Sequence, residues 1–273
     1  FSGSGELDNG MTVALSFTID EFDNDTATTT GPANGSIFDG HSVTVSSDAM
    51  GTFKFNGEGG DSAQNAVGDT AAGNIWDNFD SATTVLSESG AGDNTMHYTL
   101  PTIMDGVALA VSYNANKGQD ESNSAYSVVY TGVEGLTVSY GHGSSDGDAA
   151  GSGGTAANAD TTSMKVSYVY GSVTVAYSDH EHDSQTDTSD QDAKSMKISY
   201  AVSDDISVSY ATEEIDSNAS ATNVDAEYTK IVTSYTSGGM TISANYQEAE
   251  NIDFSTSVLQ DKEYYGLGLS FAF

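Results

Sequence analysis

The 273-residue chain is strongly acidic, with 40 Asp plus Glu residues against 7 Lys plus Arg and a formal net charge of −33. This imbalance argues against nucleic acid as a partner, because phosphates would be repelled and there is no basic patch to release their counterions. The chain has no cysteine, which excludes disulfide frameworks and cysteine-based zinc or iron–sulfur sites. No apolar run approaches the ~18 residues of a membrane-spanning helix.

Apolar residues alternate with small or polar ones along most of the chain, which predicts β-strands with one apolar face. A clear example is the series Met11, Val13, Leu15, Phe17 and Ile19. In chain order we predict about fifteen strands, at 1–5, 11–20, 40–46, 51–57, 94–100, 106–115, 123–131, 136–143, 161–170, 172–180, 192–201, 205–213, 223–235, 239–248 and 261–273. The best helical candidate is the short stretch 72–79, inside a loop.

The connections between these strands alternate in length. Short turns rich in Asn, Asp and Gly, the residues that tolerate the backbone of tight hairpins, occur at 8–10, 132–135, 171–172, 203–205 and 237–239. Long polar stretches occur at 21–39, 58–93, 144–160, 181–191 and 249–260. All tight turns are therefore expected at one end of the sheet and all long loops at the other.

Tyrosines are concentrated near strand ends, in two sets. Those expected beside the tight turns are Tyr130, Tyr170, Tyr200 and Tyr235, and those expected toward the long loops are Tyr113, Tyr140, Tyr177, Tyr210 and Tyr246. Two aromatic belts that enclose an apolar band are typical of a membrane β-barrel, whereas a soluble sandwich places large aromatics in mid-core. The tyrosines favour the membrane barrel.

Lysines fall on the polar face of the predicted strands. Lys54, Lys165 and Lys197 each stand between apolar neighbours and so point to the opposite side. Lys230 does the same if a bulge resets the strand register between Tyr228 and Ile231. A charged inner face suits a water-filled barrel and not a dry sandwich core, where unpaired charge is costly.

Three segments of the chain resemble the general porins of Gram-negative bacteria, most closely the α-proteobacterial type. They are the ending at 264–273, the opening hairpin at 3–11 and the long acidic insertion from Glu58. The resemblance implies one domain over 1–273, an all-β, antiparallel up-and-down transmembrane barrel of sixteen strands whose first strand precedes this chain. It also implies an outer-membrane homotrimer with periplasmic termini, and a terminal Phe273 similar to the signal read by the membrane-insertion machinery.

The same resemblance makes 58–93 the loop that folds inward and narrows the channel. Its candidate acidic residues are Asp69, Asp77, Asp80 and Glu88, its candidate anchors to the wall are Ile75, Trp76 and Phe79, and the candidate basic residues lining the pore are Lys54, Lys165, Lys197 and Lys230. A solvated surface loop is the alternative. Because carboxylates around a narrow lumen concentrate cations, an inward loop predicts a cation-preferring channel.

The cluster Asp179 to Asp183 contains His180 and His182, which share one strand face and carry ligands suited to zinc, copper or nickel. We favour a hydrated loop tip over a metal site there. The acidic loops lack EF-hand spacing, so we expect non-specific screening by calcium or magnesium and no cofactor.

No nucleophile elbow, catalytic cysteine or phosphate-binding glycine loop is present, so an enzyme is not expected. The sequence predicts an outer-membrane diffusion channel for small hydrophilic solutes and ions, in contact with outer-membrane lipid and lipopolysaccharide. The alternative is a secreted or surface-bound acidic β-protein, such as an adhesin, without a channel.

Overall fold

The computed structural model describes residues 1–19, 38–79, 91–115, 122–146, 158–185, 190–218, 224–257 and 260–272. They contain fifteen antiparallel strands in one sheet, each paired with the next along the chain. The first eight are β1 Ser2–Glu6, β2 Thr12–Ile19, β3 Phe38–Ser47, β4 Gly51–Asn56, β5 Thr95–Thr99, β6 Val107–Ala115, β7 Ser122–Tyr130 and β8 Leu136–Asp146. The others are β9 Ala159–Tyr170, β10 Val173–Ser184, β11 Gln191–Ala201, β12 Ile206–Ser217, β13 Ala226–Ser237, β14 Met240–Glu250 and β15 Lys262–Phe271. The predicted up-and-down sheet is confirmed.

Several strands are longer than predicted at the long-loop end. β8 continues to Asp146, β10 to Ser184 and β12 to Ser217. In β10, positions 179, 181 and 183 on the apolar face carry carboxylates, so the hydrophobic alternation stops while the backbone pairing to β9 continues. The sequence pattern therefore marks the apolar band of each strand and not its full length.

The two faces of the sheet differ as the alternation predicts. In β11, Met196, Ile198 and Tyr200 are exposed on the outer face, whereas Ala193 and Ser195 are buried on the inner face. The nine tyrosines assigned to belts all lie on the outer face: Tyr113, Tyr130, Tyr140, Tyr170, Tyr177, Tyr200, Tyr210, Tyr235 and Tyr246. Their role as interfacial anchors stays a prediction.

The predicted bulge in β13 is wrong. Pairing with β14 runs without a register shift from Glu227 to Ser237. Lys230 points inward because Tyr228, two positions earlier, points inward as well and is buried. An irregularity does occur in β2, between Phe17 and Thr18, where the pairing with β3 shifts.

Helical structure in the described ranges consists of short 3₁₀ turns at Ala63–Ala66, Ile75–Phe79 and Ile252–Phe254. The second turn falls inside the predicted helical stretch 72–79. No helix in these ranges has the length and apolar character needed to cross a membrane. The main buried apolar cluster lies on the inner face of the sheet, where the 3₁₀ turns at Ile75–Phe79 and Ile252–Phe254 meet strands β11 to β14.

Adjacent positions in β11 test which face contacts lipid. Ile198 is 48% exposed on the outer face, and a lysine at mid-bilayer costs about 2–4 kcal/mol. We expect Ile198→Lys to lower the free energy of unfolding from lipid vesicles by that amount. The matched variant Ser199→Lys puts the same charge on the inner face and should change the free energy of unfolding little. Equal losses in both variants would contradict the assignment of the faces.

Candidate functional site

The segment 60–79 runs along the inner face of the sheet. Its first residue, Gly60, is hydrogen-bonded to Gly92, which lies just before β5. The backbone N–H of Gly60 donates to the carbonyl of Gly92 at 2.8 Å, and the N–H of Gly92 donates back to Gly60 at 2.7 Å. The N–H of Gly59 also donates to Asp93 Oδ1 at 3.2 Å. These bonds therefore tie the chain after β4 to the chain before β5.

The first turn of this segment is fixed against β6, β8 and β9. The N–H of Ala63 donates to Ser112 Oγ at 2.8 Å. Gln64 donates from Nε2 to Ser163 Oγ at 3.0 Å and accepts from Thr161 Oγ1 at 2.7 Å. Each bond joins the loop to a side chain on the inner face of the sheet.

Gly141, on the inner face of β8, allows this close approach. A Cβ atom added there would lie 3.0 Å from Gln64 Cγ and 3.1 Å from Val67 Cγ2. Such contacts are tighter than ordinary van der Waals packing, so a side chain at this position would push the loop away from the wall. The glycine is needed for contact with the loop and not for a turn.

The middle of the segment is held by two serines and a lysine of the wall. The N–H of Ala71 donates to Ser178 Oγ at 2.8 Å, and the N–H of Ala72 donates to Ser195 Oγ at 3.0 Å. Lys165 Nζ donates to the carbonyl of Asp69 at 2.8 Å. The small polar residues that alternate with the apolar ones thus act as partners for loop backbone that has no regular structure of its own.

Glu213 is the most heavily bonded of these wall residues. It is only 2% exposed, and its carboxylate accepts the hydroxyl of Thr70 and the N–H of Trp76, the latter at 3.1 Å. The N–H of Ile75 donates to it as well. A buried carboxylate needs such donors, because an unpaired one is strongly destabilising. Sequence reasoning missed Glu213, which stands beside Glu214 in an otherwise ordinary strand.

The end of the described segment is anchored by apolar packing. Ile75 and Phe79 are buried, and Trp76 packs against the same cluster. Phe79 faces Tyr228 of β13, with ring centroids 5.9 Å apart. The cluster is completed by Ile252 and Phe254 of the turn after β14, within a stretch that we predicted only as a polar connection. Two bulky apolar residues in polar sequence were the available signal.

The predicted acidic residues are placed differently from one another. Asp69 is exposed, its carbonyl accepts from Lys165 of the wall, and its Oδ1 accepts from Asn74 Nδ2 at 3.0 Å. Asp77 has an exposed side chain in the 3₁₀ turn. Asp80 and Glu88 lie outside the described residues, as does Phe273.

The four predicted lysines all point inward, but they do not form one group. Lys197 and Lys230 flank Ala211 in the register of β11, β12 and β13. Lys165 of β9 lies close enough to Lys197 for their charges to interact. Lys54 is elsewhere, on β4, directly opposite His97 of β5. Lys165, Lys197 and Lys230 thus form one group of basic side chains on the inner face, which we call the basic band.

His180 and His182 lie within β10, on its inner face, and not at a hydrated loop tip. His182 is only 9% exposed. Both line a cavity of about 70 Å³ between the loop and the wall, together with Gln64, Asp69 and Trp76. Among the described residues, no three His, Asp or Glu side chains are grouped so that they could hold a metal ion.

Comparison with known proteins identifies the fold and the family. The sequence profile of the Gram-negative porin family matches residues 1–273. The chain belongs to the Gram-negative porin family. A comparison with curated protein sequences finds no match.

Solved structures similar to this porin include the anion-selective porin from Comamonas acidovorans, with a TM-score of 0.62 and 17% identity over 97% of this chain and 82% of that one. A substituted form of the Rh. blastica porin has a TM-score of 0.59 and 15% identity, over 100% of this chain and 88% of that one. OmpT, an outer-membrane protein of Vibrio cholerae, has a TM-score of 0.54 and 16% identity, over 91% of this chain and 77% of that one. At these identities the likeness shows the fold, a porin β-barrel.

Membership of the family has two consequences for this chain. It is an outer-membrane protein, and it forms a channel. The assignment also decides against a secreted acidic β-protein. The segment 60–79 packs on the inner face of the sheet, against strands between β6 and β14.

The bonds to Glu213 predict how firmly the loop is held. Glu213→Ala removes the acceptor of Thr70, Ile75 and Trp76, and a buried donor left unsatisfied costs about 1–3 kcal/mol. We expect a lower unfolding temperature and faster hydrogen exchange of the backbone N–H groups at 70–76. The matched variant Glu214→Ala, on the outer face of the same strand, should leave this exchange unchanged. Unchanged exchange in Glu213→Ala would contradict the clamp.

Proposed function

We propose that this porin is a diffusion channel for small hydrophilic solutes and ions, narrowed by the loop 58–93 and preferring cations. The observation that carries the proposal is the continuous attachment of 60–79 to the inner wall, from Ser112 in β6 to Glu213 in β12. A loop held along the wall reduces the cross-section of the lumen without closing it. The channel acts by diffusion, without catalysis.

The charge distribution supports a preference for cations. The chain has a net charge of −33, and Asp77 presents an exposed carboxylate on the loop. Carboxylates beside a narrow aqueous path in low-dielectric surroundings raise the local concentration of cations. The anion preference named for the Comamonas acidovorans porin belongs to a protein only 17% identical, and it does not transfer to this chain.

The basic band opposes this preference locally. Lys165, Lys197 and Lys230 project from the wall beneath the loop, while Asp77 lies on the loop itself. Opposite charges on the sides of an aqueous path produce a transverse field, which orients dipolar solutes as they pass. We propose that Lys54, on β4, contributes from a separate part of the wall.

We further propose that the porin is a homotrimer whose termini face the periplasm and whose outer face contacts lipid and lipopolysaccharide. The outer-face tyrosines support the membrane contact, since aromatic rings with one polar end suit the interfaces of a bilayer. The ring pairs Tyr126–Tyr140 and Tyr246–Tyr265 lie at the long-loop end, with centroids 6.1 Å and 5.1 Å apart. Light scattering of the detergent-solubilised protein measures the oligomer, and a monomer mass would contradict the trimer.

Reversal potentials across a planar bilayer in a salt gradient test the selectivity. The wild type should give the sign of a cation-preferring channel. Asp77→Asn should weaken the preference because it removes a carboxylate from the path, and Lys197→Gln should strengthen it because it removes an opposing charge. Asp205→Asn, in the tight turn between β11 and β12, is the control and should change nothing.

An anion-directed reversal potential in the wild type would overturn the cation preference. If both loop and wall variants behaved as the wild type does, the constriction would not be formed by these residues.

A further inference from the structure

The cavity behind the loop contains polar atoms that the channel function does not use. A cavity volume of about 70 Å³ lies between the loop and strands β9 and β10, which is room for more than one water molecule. His180, His182 and Trp76 all contribute to its lining. The lining of the cavity is mainly polar, which suits an ion with its water.

Three buried nitrogen atoms on these residues have no hydrogen-bond partner within the described structure: Trp76 Nε1, His180 Nε2 and His182 Nδ1. An unsatisfied buried polar group costs about 1–3 kcal/mol, and native proteins contain few of them. All three belong to residues that line the same cavity, where a ligand or ordered water would satisfy them. His182 is nine-tenths buried, so bulk solvent does not satisfy it.

The two imidazoles are arranged as metal ligands are. His180 and His182 stand two positions apart on one face of β10, so both side chains project to the same side. Ser163 Oγ lies 3.0 Å from His180 Nδ1, and when Nδ1–H donates to this oxygen, Nε2 carries the lone pair that a metal ligand needs. A metal-binding histidine usually has such a second partner, which fixes its ring.

The donor atoms select the class of ion. Neutral imidazole binds copper, nickel and zinc, whereas calcium and magnesium require oxygen ligands. Asp69 also lines the cavity, but its Oδ1 is already bonded to Asn74. A site with two protein ligands, completed by water, agrees with the lack of any three-residue metal group among the described side chains.

A route for the ion adjoins the cavity. A groove of about 280 Å³ at the long-loop end shares His182 with it and is lined by Asp183, Asp190, Asp192 and Asp216. These carboxylates attract divalent cations from solution. The groove alone is an acidic cluster, so the selectivity must come from the imidazoles.

We propose that His180 and His182 bind one borderline divalent cation, Cu²⁺, Ni²⁺ or Zn²⁺, in the cavity between the loop and the barrel wall. The ion brings positive charge to the face of β10 that lies beside the loop. This site depends on the position of 60–79 and not on the ion preference of the channel.

The test uses the intact porin in detergent, loaded with Cu²⁺ in the presence of excess Mg²⁺ to saturate oxygen-only sites. Electron paramagnetic resonance should show one copper per chain with hyperfine coupling to nitrogen. His180→Gln and His182→Gln, which keep a polar side chain of similar size, should each weaken retention of copper by at least tenfold. His142→Gln, on the outer face of β8, is the matched control and should retain it.

A wild-type spectrum without nitrogen coupling would overturn the proposal, and so would full copper retention in the His180→Gln/His182→Gln double variant. The first of these outcomes holds even if a variant fails to fold. Circular dichroism of each variant checks that loss of copper is not loss of the barrel. A channel that conducts normally but lacks this copper signal would contradict the metal site while leaving the proposed function intact.

Discussion

The structure depends on one constraint, which is that a strand crossing lipid must satisfy its backbone through its neighbours. Of the fifteen described strands, the thirteen from β2 to β14 are paired on both sides, whereas β1 and β15 are each paired on one side. Where both sides are paired, only the side chains distinguish lipid from lumen. A period of two residues separates these environments. An overall hydrophobic fraction of 37% suffices because apolar residues are needed on one face alone. The low apolar content is thus a property of the architecture and not a sign of weak folding.

The same constraint explains the polar inner wall. The segment 60–79 has little regular structure, so its backbone groups at membrane depth need partners that lipid cannot supply. Ser112, Ser178 and Ser195 provide acceptors for it, and Glu213 provides a charged one. The loop is therefore positioned by residues spread over several strands. The path of the loop depends on wall side chains as much as on the residues of the loop itself.

The sequence predicted the features that repeat and missed the partners that do not. Strand alternation, turn spacing and the bulky group Ile75, Trp76 and Phe79 are local patterns. The hydrogen bond from Trp76 to Glu213 joins residues 137 positions apart. No local sequence pattern can therefore predict it. The apolar partners Ile252 and Phe254 were missed although they are two bulky apolar residues in an otherwise polar stretch.

The two histidines show a different limit of sequence reasoning. We placed His180 and His182 at a loop tip because the apolar alternation ends at Tyr177. The strand continues past that point, and its outer-face residues become carboxylates while its inner-face residues still face the loop. Hydrophobic patterning reports where lipid ends. It does not report where the sheet ends.

The central claim is that the segment around Asp77 borders a water-filled conducting path. Because the chain has no native cysteine, a cysteine at this position is a clean probe. In single-channel recordings of Asp77→Cys, a charged, membrane-impermeant thiol reagent should reduce the conductance at once, while Ile198→Cys on the outer face should not respond. Conductance that is unaffected at Asp77→Cys, despite complete modification confirmed by mass spectrometry, would contradict the account.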